Sequence, residues 1–139
     1  MRGLCPLSLT FYLYLCNMGL KANLDIAQRL DITCRKGDTF ELVITIKDST
    51  GAGLNLDEYT DFNLDVRPTD DDTGTPVLEF LMSDFSGTPE GILTATKSYT
   101  DMAAVESGTF VYDLQATDGN SVRTTWFYGL FTIIDDITL

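Results

Sequence analysis

The residues best suited to chemistry are carboxylates, and three of them stand side by side. The run TDDDTGT holds Asp70, Asp71 and Asp72, and with Asp65 it offers the oxygen ligands that Ca²⁺ prefers. It lacks the spaced aspartates, the glycine and the distal glutamate of a calcium-binding loop. We therefore interpret the run as a solvated acidic loop and predict no metal site.

Two pairs of carboxylates have the residue types that glycoside hydrolysis requires, namely Glu79 with Glu90 and Asp113 with Asp118. Such a pair acts only when its two acids flank the scissile bond of a bound sugar. Strands with one exposed face carry outward acids routinely, and no spacing here sets two acids across a cleft. We predict that the protein is not an enzyme, and an acid-pair hydrolase is the last of our alternatives.

Histidine is absent from the chain, which removes the commonest general acid or base near neutral pH and the commonest metal ligand. Cys5, Cys16 and Cys34 show no CxxC spacing and cannot all pair, so neither a zinc site nor a disulfide framework is indicated. We predict reduced thiols, no cofactor, and Cys34 as a small, half-buried strand residue.

Tyrosine side chains are candidates for stacking on sugars, because an aromatic ring offers a large apolar face with a polar tip. They are scattered along the sequence, and packing in a core or an interface explains them equally well. The candidates are Tyr12, Tyr14, Tyr59, Tyr99 and Tyr128.

Composition bounds the class of protein. The 139 residues suffice for one domain, and the apolar fraction of 44% argues against disorder. The net charge of −12 repels phosphates, and nine Lys and Arg residues spread along the chain form no basic patch. We therefore predict no binding to nucleic acid.

The first 28 residues form a segment of their own. An apolar run from Leu4 to Cys16 follows one arginine and is interrupted by polar residues and a proline, and it is too short to span a bilayer as a helix. Three interpretations stay open: an over-extended reading frame whose true start is Met18, a signal or anchor, and an arm that packs on a neighbour. We predict no membrane partner and place the folded domain at residues 29–139.

From Leu30 onward the apolar residues recur with a period of two, which is typical of strands with one buried face. The runs DTFELVITIKD, TDFNLDVRP, PVLEFLM, GILTATK and TFVYDLQA are separated by turn-forming stretches such as DSTGAG and ATDGNS. SYTDMAAVESG allows one helical turn. Predicted inward residues are Phe40, Leu42, Ile44, Ile46, Phe62, Leu64, Val66, Leu78, Phe80, Met82, Phe110, Tyr112 and Leu114.

These strands predict an all-β fold, an antiparallel β-sandwich of about seven strands with at most one short helix. The last strand, VRTTWFYGLFTIIDD, is apolar on both faces, and Gly129 marks a bulge or a close backbone approach. Such a strand is either central and sheltered by the amino-terminal segment or covered by a partner protein. The predicted interface residues are Trp126, Phe127, Tyr128, Phe131 and Ile133.

Four stretches carry a family resemblance: KGDTF at Lys36–Phe40, ITIKDSTGAGLNLDEYT at Ile44–Thr60, GTFVYDLQATDG at Gly108–Gly119 and FTIIDDIT at Phe131–Thr138. With them, residues 30–139 resemble the small immunoglobulin-like β-sandwich domains of tailed-bacteriophage virions. The similarity is to the amino-terminal domain of the baseplate upper protein family and to related tail or head accessory proteins. These motifs mark a fold more than a chemical step.

The resemblance implies a structural virion protein that acts by assembly. Longer members of the family carry further domains after this one, so we expect a stand-alone adaptor or decoration subunit of the head, tail or baseplate. The implied partners are capsid, portal or tail/baseplate subunits and other copies of the chain, joined by an edge strand and the aromatic face of the last strand. A carbohydrate-binding adhesion domain that holds a host surface glycan is the alternative.

Overall fold

The computed structural model describes the backbone of residues 4–12, 16–18 and 21–23, and residues 27–70 and 73–135 with their side chains. One helix, α1 (Tyr99–Ala103), and two 3₁₀ turns (Leu56–Glu58 and Met82–Asp84) join the strands. The strands are β1 (Leu4–Tyr12), β2 (Cys16–Met18), β3 (Lys21–Asn23), β4 (Gln28–Arg29), β5 (Ile32–Arg35), β6 (Thr39–Lys47), β7 (Tyr59–Arg67), β8 (Leu78–Phe80), β9 (Phe85–Gly87), β10 (Ile92–Lys97), β11 (Gly108–Asp118) and β12 (Arg123–Ile134).

The strands form a β-sandwich, as predicted. One sheet has the order β1-β6-β10-β9, and the other has the order β4-β12-β11-β7-β8, with β5 also paired to β12. The separation of β6, β10 and β9 from β12, β11 and β7 matches the two layers of an immunoglobulin-like sandwich. Among the described strands, three pairings are parallel rather than antiparallel: β1 with β6, and β4 and β5 with β12. In the described ranges, no helix has the length and apolarity to cross a lipid bilayer.

The period-two pattern places the predicted faces correctly on most strands. β6 alternates between half-buried and fully buried positions along its length, and β7 does so from Phe62 onward. α1 begins after Ser98, whose hydroxyl accepts a hydrogen bond from the Asp101 amide at 3.2 Å, and it buries Met102. The core joins the inner faces of both sheets; its largest fully buried side chains are Trp126, Phe40, Phe62, Phe80, Phe127, Phe131, Leu42, Ile44, Ile46, Leu64, Leu93 and Met102.

Two burial predictions were wrong. Met82 is exposed, because β8 ends at Phe80 and the following residues turn into a 3₁₀ helix that breaks the alternation. Cys34 is fully buried rather than half-buried, because β5 inserts it and Ile32 into the core while β12 pairs with the β5 backbone.

The predicted interface on β12 is largely taken up by the core. Trp126, Phe127, Phe131 and Ile133 are buried within this chain, and only Tyr128 of the five is exposed. The pairing with β11 explains why: Leu114 pairs with Phe127 and Gln115 with Thr125, so Trp126 is the extra residue of a bulge. The bulge turns two consecutive rings inward, where strict alternation would have placed Trp126 on the face of Tyr128.

The outer edge of β12 is covered by the chain itself. The amide of Leu30 donates to the Tyr128 carbonyl at 2.9 Å, the Leu130 amide donates to Asp31 Oδ1 at 3.0 Å, and the Tyr112 hydroxyl donates to the Leu30 carbonyl. Gly129 makes this approach possible, since an added Cβ there would lie 2.6 Å from the Leu30 carbonyl oxygen. Of our two expectations for Gly129, the close backbone approach is confirmed, and the bulge lies three residues earlier.

The amino-terminal segment joins the sandwich through its backbone. β1 runs parallel to β6 over nine residue pairs, and β2 pairs with β3. The division of the chain between residues 28 and 29 stays a prediction.

Candidate functional site

Strand register brings a row of polar residues together on the outer face of the second sheet. Across neighbouring strands, Arg29 pairs with Tyr128, Tyr128 with Asp113, Asp113 with Asp65, and Asp65 with Glu79. Because paired residues on adjacent strands share a face, these five side chains stand side by side. The row crosses five strands, β4, β12, β11, β7 and β8.

The row borders a concavity of about 380 Å³. This volume is within the range of small-molecule sites, which is roughly 300–1,000 Å³. Its walls combine tyrosine and aliphatic residues with charged residues of both signs. Its lining includes Arg29, Asp65, Arg67, Asp113, Tyr128 and Leu130.

Arg67 lines the concavity, and acceptors of the chain itself hold its guanidinium group. Arg67 donates from one terminal nitrogen to Asp65 Oδ2 at 3.2 Å and from the other to the Gly74 carbonyl. The second carboxylate oxygen of Asp65, Oδ1, is buried and accepts no hydrogen bond from the part of the chain that the structure describes. Arg29, another lining residue, donates from Nε to Asp31 Oδ1 at 3.2 Å.

Asp113 is the carboxyl group whose protonation the site perturbs. Burial raises the pKa of Asp113, the negative charge of Asp65 on the neighbouring strand raises it further, and the positive charge of Arg67 opposes the shift. The ionised form of Asp113 is therefore disfavoured in the folded protein. Tyr112, which points into the core from the adjacent position, also has a raised pKa because of burial, with a smaller contribution from Asp31.

We expect Asp113→Asn to stabilise the fold at pH 7 and to reduce the dependence of stability on pH. A folded-state pKa above the unfolded value means that stability is fully present below about pH 3.8 and is lost as the pH rises through the raised pKa. Asparagine keeps the shape and removes the charge. Urea unfolding of both proteins from pH 3 to pH 8 measures the difference, with Asp61→Asn on β7 as the exposed control. Equal stability of wild type and Asp113→Asn at every pH would contradict the expectation.

The tyrosines proposed for sugar stacking are separated by the structure. Tyr128 stands in the concavity with 43% of its surface exposed, whereas Tyr99 is 64% exposed on α1. The Tyr59 ring packs on Trp126, with centroids 5.0 Å apart, and on Phe62. Burial raises the pKa of Tyr59, with smaller contributions from Asp118 and Glu58. The side chain of Tyr12 and all of Tyr14 lie outside the described residues.

Neither predicted carboxylate pair is brought together. Glu79 is on β8, whereas Glu90 is in the turn before β10 in the other sheet. Asp113 and Asp118 lie on the same strand about 17 Å apart, since each residue of a strand advances about 3.4 Å. Asp113 instead lies across from Asp65. Sequence reasoning had linked Asp65 only to calcium, although its alternation with Asn63 and Arg67 did mark it as outward.

The acidic run is only partly described. Asp70 is exposed and lines the concavity, and Asp71 and Asp72 lie outside the described residues. Among the residues described, no group of three or more Cys, Asp or Glu has a geometry that holds a metal ion.

A second feature of the same sheet is an exposed apolar stripe on β12, formed by Tyr128, Leu130 and Ile134. These side chains are 43%, 37% and 41% exposed, and they occupy outward positions of one strand. The core side of this strand is filled, and its edge is covered by residues 28–36. The stripe therefore presents its face, rather than its edge, to a partner.

Comparison with known proteins finds a structural likeness alone. No family model matches the chain, and no curated protein matches it. Among solved structures, it is similar to one described as "N-terminal domain of phage TP901-1 ORF48", with a TM-score of 0.43 and 12% sequence identity. The match covers 94% of this chain and 99% of that chain.

Proposed function

We propose that this protein is a structural virion protein of a tailed bacteriophage, an adaptor or decoration subunit of the head, tail or baseplate that works by protein–protein assembly. The resemblance of four sequence motifs to virion β-sandwich domains supports the phage role. The β12 stripe is the observation that carries the assembly role. The proposed partners are capsid, portal or tail/baseplate subunits and further copies of this chain.

The stripe supports assembly because exposed apolar side chains on a highly charged protein favour a contact surface. The protein has a net charge of −12, yet three large apolar side chains line the outward face of one strand. Large apolar side chains exposed along one strand favour a contact site, since covering them removes apolar area from water. Acidic residues elsewhere on the surface would limit association through other faces.

A non-catalytic role belongs to the proposal. Catalysis by an acid pair needs two carboxyl groups facing a common bond, and the pairs considered above are separated. Asp65 and Asp113 do lie close together, but Asp65 is held in an ion pair with Arg67. The site is better suited to holding a partner or ligand than to transferring protons.

Replacing Ile134 by aspartate is expected to reduce incorporation of the protein into phage particles at least tenfold, because a charge in a buried contact loses its hydration. Ile92→Asp is the matched control, since Ile92 is 40% exposed on the other sheet and Ile134 is 41% exposed. Particles from a complemented deletion phage would be purified and quantified by peptide mass spectrometry. Thermal unfolding would first establish that both variants fold. Absence of the wild-type protein from particles, or equal incorporation of the two variants, would overturn the proposal.

A further inference from the structure

We infer that the concavity on the outer face of the second sheet is a binding site for a neutral saccharide, with Tyr128 as the stacking platform and the Asp113 carboxyl as the hydrogen-bonding group. The inference goes beyond assembly and does not depend on it. Tyr128 and Ile134 are six residues apart on β12, which is about 20 Å along a strand. The two proposals share Tyr128 and Leu130, but Ile134 does not line the concavity, so a substitution there tests assembly alone.

Tyr128 meets the first requirement of a saccharide site. One face of a hexopyranose presents C–H groups, which favour the electron-rich face of an aromatic ring. Tyr128 is partly exposed at a wall of the concavity, and Leu130 extends the apolar surface beside it. Tyr99 is more exposed, but it belongs to a five-residue helix outside the concavity.

Asp113 meets the second requirement, because it lies next to Tyr128 in the strand register and lines the same concavity. No donor in the part of the chain that the structure describes hydrogen-bonds to its carboxyl group. A carboxylate accepts two hydroxyl groups, and a protonated carboxyl group both donates and accepts, so either form suits a vicinal diol. Sugar hydroxyls would supply the hydrogen bonds that this half-buried group lacks.

The charges of the site specify a neutral sugar rather than an acidic one. Arg67 binds Asp65 and the Gly74 carbonyl, and Arg29 binds Asp31, so both guanidinium groups already hold anionic or carbonyl oxygens of the chain. Asp113 and Asp70 add negative charge to the walls, and the whole chain is acidic. A carboxylated, sulfated or phosphorylated glycan would meet electrostatic repulsion, which a neutral hexose would not.

The test is titration of the full chain with neutral trisaccharides of glucose, galactose and mannose and with a sialylated and a sulfated trisaccharide, followed by ¹⁵N-NMR and calorimetry. We expect saturable binding of at least one neutral sugar, with shifts at Asp113 and Tyr128. Tyr128→Ala should weaken that binding at least tenfold and Asp113→Asn severalfold, while Tyr99→Ala leaves it unchanged. No saturable binding up to 20-fold molar excess at about 10 mM ligand, tighter binding of an anionic sugar, or equal binding by Tyr128→Ala would each overturn the inference.

The assembly proposal and the saccharide proposal can be tested independently of each other. Ile134→Asp should bind the sugar as the wild type does, and Tyr128→Ala should lose it in the isolated protein, where no particle is present. Loss of sugar binding in Ile134→Asp with its fold intact would contradict the separation of the two sites. A protein that enters particles but binds none of the five sugars would leave the assembly role and remove the saccharide site.

Discussion

Trp126→Ala is expected to lower the free energy of unfolding by about 3–5 kcal/mol, the cost of removing a large aromatic side chain from a packed core. Trp126 is 2% exposed and contacts Tyr59 and Phe62, with ring centroids 5.0 and 5.8 Å apart. The bulge in β12 directs the Trp126 ring into the core. Its removal would therefore leave a cavity among the surrounding rings. Urea unfolding followed by circular dichroism measures the change.

Tyr128→Ala is the control for this substitution, two residues further along the strand. Its side chain is 43% exposed, and surface substitutions usually change stability by about 0.5 kcal/mol or less. A loss for Trp126→Ala as small as that for Tyr128→Ala would show that Trp126 does not pack in the core. The pair thus separates the core side of β12 from its outward side.

Gly129→Ala is expected to cost about 2–4 kcal/mol, because two hydrogen bonds of about 1 kcal/mol each are lost and a buried hydroxyl loses its acceptor. The new Cβ would lie 2.6 Å from the Leu30 carbonyl oxygen and 2.7 Å from Asp31 Oδ1. Residues 30 and 31 would have to withdraw from β12. Three hydrogen bonds depend on these two residues. The Leu30 amide donates to the Tyr128 carbonyl, the Leu130 amide donates to the Asp31 carboxylate, and the Tyr112 hydroxyl donates to the Leu30 carbonyl.

Hydrogen exchange gives this prediction a local readout. The amides of Leu30 and Leu130 should exchange faster in Gly129→Ala, whereas amides of β6 should change only with global stability. Gly119→Ala is the matched control, since a Cβ there meets only the Glu58 carbonyl oxygen at 3.5 Å. Equal stability of the two glycine variants would contradict the close approach at Gly129.

The sandwich was predictable because the sequences of most of its longer strands alternate between apolar and polar residues. Phe40 to Ile46 and Phe62 to Val66 alternate without interruption, and both runs bury the predicted residues. The turn at Asp48 was also predictable from the sequence. The Asp48 carboxylate accepts hydrogen bonds from the amides of Thr50 and Ala52, as aspartates in turns commonly do. Local side-chain chemistry decides these elements, so sequence suffices.

The orientation of Trp126 on β12 could not be read from the sequence, because the pairing with β11 determines it. Whether Trp126 faces inward depends on the bulge against β11, and a bulge is a property of two paired strands rather than of one. The parallel pairing of β4 and β5 with the same strand left no separate signal, because each is only two to four residues long. The only sequence signal for the close approach of Leu30 to Gly129 was the presence of a glycine in an apolar run.

The concavity could not be predicted from the sequence. Tyr128 was a candidate for sugar stacking, and Asp113 was considered with Asp118, but nothing in the sequence joins Tyr128 to Asp113 and Asp65. Their proximity follows from the order β12-β11-β7 and from its register. A shift of one residue in either pairing would have turned one of these side chains into the core. A site whose residues come from several strands of a sheet can therefore be identified only when the strand order and register are known.

The pairing of residues 28–35 with β12 also sets an order of events during synthesis. Asp31 and Leu130 are 99 residues apart, so at ribosomal rates roughly 5–20 s pass between their additions to the chain. Until then Ile32 and Cys34 have no strand to hold them against the core. The sandwich is thus completed only when its last strand has left the ribosome, and a nascent chain keeps this segment available to chaperones until that moment.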